Sequence, residues 1–91
     1  MALNFKEFRE WLAEANPEAL LADGFEEALM GYVETFSAAP IALYNRAKCI
    51  EILMKRDGMT DEEAEEFFCF KVSGAYVGES TPGFAGLLGN M

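Results

Sequence analysis

Five of the six residues between positions 61 and 66 are acidic, and no other segment of the chain is so rich in reactive side chains. Carboxylates can bind a divalent metal, stabilise a helix N-terminus or attract a basic partner. A metal site is the weakest of these interpretations, because the spacing and turn glycine of an EF-hand loop are absent. Capping and solvation alone are the plainer alternative. We interpret the segment as a candidate surface for a basic partner, formed by Asp61, Glu62, Glu63, Glu65 and Glu66.

The glycine-rich segment 74–83 is the second candidate, since its polar side chains include Glu79, Ser80 and Thr81. It lacks the lysine and the spacing of a phosphate-binding loop, and no convincing helix follows it. Its glycines therefore serve close backbone packing and a turn, or the segment contacts a ligand or partner. We add Glu79 to the candidate partner-binding residues.

The composition excludes most catalytic chemistry. The chain has no histidine, which removes the commonest general base and the commonest metal ligand. Cys49 and Cys69 cannot form a four-thiolate zinc site, and their spacing fits no redox motif. We predict that both are reduced, buried and hydrophobic in character. The sequence thus predicts a protein that is not an enzyme and has no metal and no cofactor.

The 91 residues are 52% hydrophobic, and 16 acidic against 7 basic side chains give a net charge of −9. These values predict one globular domain over residues 1–84 and a flexible, uncharged tail over 85–91. No apolar run approaches the ~20 residues that span a bilayer. The charged first residues contain no signal-peptide core. We therefore expect a cytoplasmic protein that does not bind membranes.

The charge is unevenly distributed along the chain. Residues 1–36 carry a net charge of −6, residues 37–58 of +2 and residues 59–79 of −5. Rows of carboxylates can imitate the field of a duplex, which carries one negative charge per ~1.7 Å. An ordinary solvated surface is the alternative. We expect no direct binding of nucleic acid, because the central bases face too much opposing charge; these are Arg46, Lys48, Lys55 and Arg56.

Three amphipathic helices must position these residues. Asn4 with Glu7 predicts a capped helix over 4–15, and Asn45 predicts the start of another that ends at Asp57-Gly58. Thr60 and Glu63 have capping-box spacing and predict a helix over 61–72. A short helix over 17–22 is predicted after Asn16, with proline at its first position.

The segment between the first two long helices favours strands. Its β-branched and aromatic residues predict a hairpin of 27–36 with 41–44, although a helix over 25–37 stays open. Residues 75–77 are a candidate third strand. The fold class predicted is therefore α+β, with three main helices packed on a small antiparallel sheet and a hairpin at about 27–44.

Four blocks between residues 23 and 84 resemble a known family. They are DGFEEALMGYVE, PIALYNRAKCIEILM, RDGMTDEEA and GAYVGESTP. In order and spacing they are similar to small uncharacterised proteins of bacteriophages and bacterial prophage regions. Cys69 and Lys71 depart from the family, which prefers an acid and an amide there. The resemblance implies no catalytic residue and implies an accessory protein that acts inside a bacterial host cell.

The hypothesis that joins these observations is a phage-type accessory protein without turnover. It would inhibit a host nucleic-acid-binding defence factor, in the manner of an anti-CRISPR-like nucleic-acid mimic. The partner expected is a host protein or complex with a basic surface. The alternative is a self-associating structural protein or a small-ligand-binding protein, and the aromatic content is compatible with a homo-oligomer.

Overall fold

A computed structural model describes residues 4–34, 39–72, 74 and 78–87. Over these residues the order of elements is α1 (Phe5–Ala15), β1 (Leu29–Val33), β2 (Ile41–Asn45), α2 (Arg46–Asp57), α3 (Asp61–Phe67) and β3 (Gly83–Ala85). A 3₁₀ turn, Glu26–Ala28, leads into β1, and a π-helical turn, Phe68–Val72, extends α3. The predicted α+β fold with three main helices and a small sheet is confirmed.

Side-chain caps set the starts of the helices. Asn4 and Thr60 accept hydrogen bonds from the backbone N–H groups three residues later, at 2.8 and 3.2 Å, and both capping boxes are complete. Asn45 caps α2 in the same way. Gly58 ends α2 in the left-handed region at φ +67°, a conformation that glycine adopts without strain. These local signals explain why the predicted helix starts and the end of α2 are confirmed; the third helix, predicted over 61–72, is α-helical only to Phe67 and continues as the π-helical turn.

The predicted hairpin is also confirmed. β1 and β2 are antiparallel, with Gly31 opposite Leu43 and Val33 opposite Ile41. The register shifts between Leu29 and Gly31, which marks a bulge. The helical alternative for 25–37 is wrong over the described residues 25–34.

The third strand differs from the sequence prediction. β3 lies beside β2 and runs parallel to it, with Ala85 opposite Asn45, so the sheet is mixed and not wholly antiparallel. Residues 75–77, the predicted third strand, lie outside the described residues, as do residues 88–91 of the predicted tail. Since Ala85 belongs to the sheet, the predicted tail begins too early. A strand of three residues depends on its distant partner, and local sequence carries little signal for it.

The predicted helix over 17–22 is wrong. Only a turn follows Asn16, because the backbone N–H groups beyond it donate to distant acceptors. Leu20 N–H donates to the carbonyl of Ser80 at 3.1 Å, and Ala22 N–H donates to the hydroxyl of Tyr44 at 2.8 Å. These tertiary hydrogen bonds replace those that a helix would have made.

The core lies between the helices and the sheet, and its largest fully buried side chains are Tyr44, Phe68, Leu53 and Cys49. The buried position predicted for Cys49 is confirmed. The one predicted for Cys69 is wrong, because this thiol is exposed. In the π-helical turn the neighbouring Phe68 points into the core, and Cys69 is left outside.

Asn16 is the buried polar side chain of the described core, and it joins three segments. Its amide nitrogen donates to the carbonyl of Pro40 at 3.0 Å and to the hydroxyl of Ser80 at 3.2 Å. Its side-chain oxygen accepts from the N–H of Glu18 at 3.2 Å. Asn16 therefore links the end of α1 to the approach to β2 and to the turn before β3.

We expect Asn16→Ala to lower the free energy of unfolding by about 1–3 kcal/mol, because it leaves partly buried partners unsatisfied. Urea denaturation followed by circular dichroism measures the change. Glu18→Ala is the matched control, since its exposed side chain forms no hydrogen bond or ion pair among the described residues, and it should stay within about 0.5 kcal/mol of the wild type. An equally small effect of Asn16→Ala would contradict the linking role.

Candidate functional site

The acidic helix α3 lies against α2, and an ion pair joins the two helices. Arg46 Nη2 lies 2.6 Å from Glu65 Oε1, and Arg46 Nη1 lies 3.3 Å from Glu65 Oε2. The hydrogen bond from Arg46 lowers the pKa of Glu65, and the same bond raises the pKa of Arg46. The Arg46 guanidinium also lies over the ring of Phe68, 5.0 Å from its centroid. Glu65 is thus engaged within the chain.

The other acids of α3 divide into two groups. Glu63 accepts a hydrogen bond from the backbone N–H of Thr60 at 2.9 Å, so it completes the capping box. Asp61, Glu62 and Glu66 are exposed. Within the described residues no ion pair occupies them. These three carboxylates are therefore the part of the predicted site that is free to meet a partner.

Glu79 lies in a different structural element from the acids of α3. It belongs to the turn in which Thr81 N–H donates to the carbonyl of Gly78 at 3.2 Å. The adjacent Ser80 is bonded to Asn16 and Leu20, which follow α1. The contacts seen in the described ranges join this turn to the end of α1, and none of them brings Glu79 to α3.

The basic residues of α2 are neutralised inside the chain. Lys48 and Lys55 both contact Glu51, at 3.1 and 3.2 Å. Hydrogen bonds from the two lysines lower the pKa of Glu51, and the bond from Lys48 has the larger effect. Arg56 contacts Asp57 at 3.2 Å and donates to the carbonyl of Gly24 at 2.9 Å. Sequence reasoning missed the links of Arg46 and Arg56 to distant segments.

Most acidic side chains form no ion pair among the described residues. All sixteen acidic residues lie in the described ranges, and three of them form ion pairs there: Glu51, Asp57 and Glu65. Thirteen carboxylates thus have no basic partner among the described side chains. Four of the seven basic residues are used by the same pairs. The charge that remains for interaction is therefore almost entirely negative.

A shallow groove of mixed character borders the acidic helix. It has a volume of about 520 Å³; Met59, Phe67 and Phe70 form its apolar part, and its charged lining residues are Asp57, Glu63, Glu66 and Lys71. Phe70 is 77% exposed, more than any other large hydrophobic side chain described. Sequence reasoning did not single out Phe70. The sequence did indicate its exposure, because Phe70 follows Phe68 by two residues and therefore lies on the opposite face of the helical turn.

The described ranges contain no group of three or more His, Cys, Asp or Glu residues arranged to hold a metal ion. None of the helices in the described ranges combines the length and the apolar character needed to cross a bilayer. In this part of the chain, the chemistry that α3 offers is charge together with an apolar contact surface.

Known proteins add no further assignment to this site. No protein-family model, no curated protein and no solved structure matches the chain significantly. The resemblance to small phage proteins therefore stays a prediction. Function has to be argued from the charges, contacts and exposed surfaces of the chain itself.

Proposed function

We propose that this chain is a small acidic accessory protein of phage type, which acts by occupying a basic surface of a bacterial host protein. The proposal rests on the thirteen carboxylates that have no basic partner among the described residues, against three bases that form no ion pair there. A solubility surface needs only modest net charge of mixed sign. Here the chain pairs its four central bases internally and leaves most of its acids without a basic partner among the described residues.

The partner proposed is a nucleic-acid-binding defence factor in the cytoplasm of the host. A groove that holds a phosphate backbone presents rows of basic side chains, and these attract any surface with closely spaced carboxylates. Asp61, Glu62 and Glu66 supply such charges on α3, and the Phe70 groove supplies apolar contact beside them. Inhibition of this kind works by occupancy and requires no catalytic group.

The position of Glu65 decides which variant tests the proposal. Because Glu65 is held by Arg46, its removal would disturb the contact between α2 and α3. The variant Asp61→Asn, Glu62→Gln, Glu66→Gln removes three free charges and leaves that ion pair intact. The matched control is Glu10→Gln, Glu18→Gln, Glu27→Gln, which removes three exposed charges from other elements.

The experiment captures the partner from bacterial lysate on the immobilised chain and then measures association of the purified partner across a salt series. We expect the α3 variant to associate about tenfold more slowly than wild type at low salt, because charges near an interface act on the association rate. The difference should shrink as salt screens charges beyond ~8 Å. Duplex DNA should compete with the wild-type chain for the captured partner.

Two results would contradict the proposal. One is an α3 variant that associates at the wild-type rate at every salt concentration. The other is a captured partner whose binding to duplex DNA is unaffected by the chain. If the control slows association as much as the α3 variant, the total charge acts and α3 is not the specific surface. The native mass of the free chain tests the self-associating alternative.

A further inference from the structure

An exposed aromatic pair joins α1 to the edge of the sheet. The rings of Trp11 and Tyr32 have centroids 4.7 Å apart and an interplanar angle of 49°. Trp11 is 37% exposed and Tyr32 is 46% exposed, and Met30 on the same strand is exposed as well. Aromatic and methionine side chains of this kind are enriched in protein interfaces. The pair lies on elements that the acidic helix does not include.

Among the described residues, the strand that carries Tyr32 is an edge strand of the sheet. The strand order is β1-β2-β3, so no described strand pairs with the outer side of β1. Natural edge strands are protected by charged side chains, proline or β-bulges; the sequence of β1, LMGYV, contains no charge and no proline, and its bulge lies between Leu29 and Gly31, before the Gly31–Val33 part. A Cβ placed on Gly31 would meet no atom within 4 Å. Because Cβ atoms point to the faces of a sheet, this free space lies on the face beside Gly31, and the strand order is what leaves the outer edge of β1 unpaired among the described residues.

The charges around this edge favour a basic segment over a second copy of the chain. Residues 4–34 contain eight acids and two bases. Glu27 precedes β1 and Glu34 follows it, whereas Glu7 and Glu14 lie one helical turn on either side of Trp11. A second copy of the chain would bring like charges together at the two ends of a β1–β1 pair. A basic segment would be attracted along the whole edge.

We propose that the outer edge of β1 binds an extended basic segment of a partner protein as an added strand. Backbone hydrogen bonds to the Gly31–Val33 part of β1 would hold the segment, as in other cases of strand addition. An arginine or lysine side chain would lie over the exposed rings of Trp11 and Tyr32. This surface is separate from α3 and goes beyond the function proposed above.

Trp11 is the only tryptophan of the chain, so its fluorescence reports directly on this edge. The probe is a blocked peptide of alternating arginine and valine, as long as β1. We expect it to change the Trp11 emission in a saturable way. Tyr32→Thr keeps strand propensity and removes the ring, and it should weaken binding about tenfold, because the cation–π contact with the peptide is lost. Met54→Ser removes an exposed apolar side chain of α2 and should leave binding unchanged.

A second peptide tests the strand pairing on the wild-type chain, whatever the stability of Tyr32→Thr. It has the same sequence, with N-methyl groups on the amides of one edge, which blocks backbone hydrogen bonds. Loss of binding supports an added strand. Equal binding of both peptides would show charge attraction alone and would overturn the proposal. Dimerisation of the chain through Tyr32 that excludes the peptide would also overturn it. None of these results depends on the α3 variant, so the two proposals can fail separately.

Discussion

Replacing Phe68 with alanine is expected to lower the free energy of unfolding by about 3–5 kcal/mol. Phe68 is almost completely buried, and its ring meets the ring of Phe84 edge-on, with centroids 5.0 Å apart at 86°. Phe84 in turn packs beside Tyr44 with a centroid distance of 5.7 Å. The change would leave a cavity where the helical turn after α3 meets β2 and β3.

The same substitution should also disturb the acidic helix. The Arg46 guanidinium lies over the Phe68 ring and holds Glu65. Removal of the ring leaves Arg46 without its apolar support, and the ion pair loses its fixed position. A domain of this size has a total stability of about 5–15 kcal/mol, so the loss from the cavity is a large fraction of it.

Urea denaturation monitored by circular dichroism measures the effect. Phe68→Leu is the conservative control. It should lower the free energy of unfolding by less than ~1.5 kcal/mol, well below the alanine value. Phe70→Ala changes the same residue type at an exposed position and should stay within about 0.5 kcal/mol. A loss below 1 kcal/mol for Phe68→Ala, on the order of a surface substitution, would contradict its role in the core.

The elements that could be predicted from the sequence are those encoded by neighbouring residues. The caps at Asn4, Asn45 and Thr60 place a side-chain acceptor at the backbone N–H three residues later, and this needs no distant partner. The hairpin follows from strand-forming residues on both sides of a short connection. In each case the local preference and the tertiary packing agree.

The features that could not be predicted depend on distant residues. Segment 17–22 has helical preferences, but its N–H groups find acceptors in Ser80 and Tyr44. The parallel pairing of β3 with β2 depends on residues about forty positions away. The candidate site shows the same limit. The acidic run was visible in the sequence, whereas the engagement of Glu65 by Arg46 appears only when α2 and α3 pack together.

Alkaline pH should destabilise the chain through Cys49. Burial raises the pKa of its thiol to about 11 from an ordinary value of 9, and nearby Arg46 offsets this only in part. Because the folded pKa is the higher one, the unfolded chain releases the proton first. Stability is therefore complete below pH 9 and falls as the pH rises toward 11. The loss over this interval is about 2–3 kcal/mol, since each unit of pKa shift corresponds to ~1.36 kcal/mol.

Tyr44 adds a second loss of the same sign, because burial also raises the pKa of its hydroxyl above 10. Urea denaturation at several pH values from 8 to 11 separates the two groups. In Cys49→Ala we expect the fall that begins near pH 9 to disappear and the fall above pH 10 to remain. Cys69→Ala removes the exposed thiol instead and serves as the matched substitution. Comparing slopes with pH, and not absolute stabilities, removes the cost of the cavity that Cys49→Ala creates. An unchanged slope in Cys49→Ala would show that the buried thiol does not limit alkaline stability.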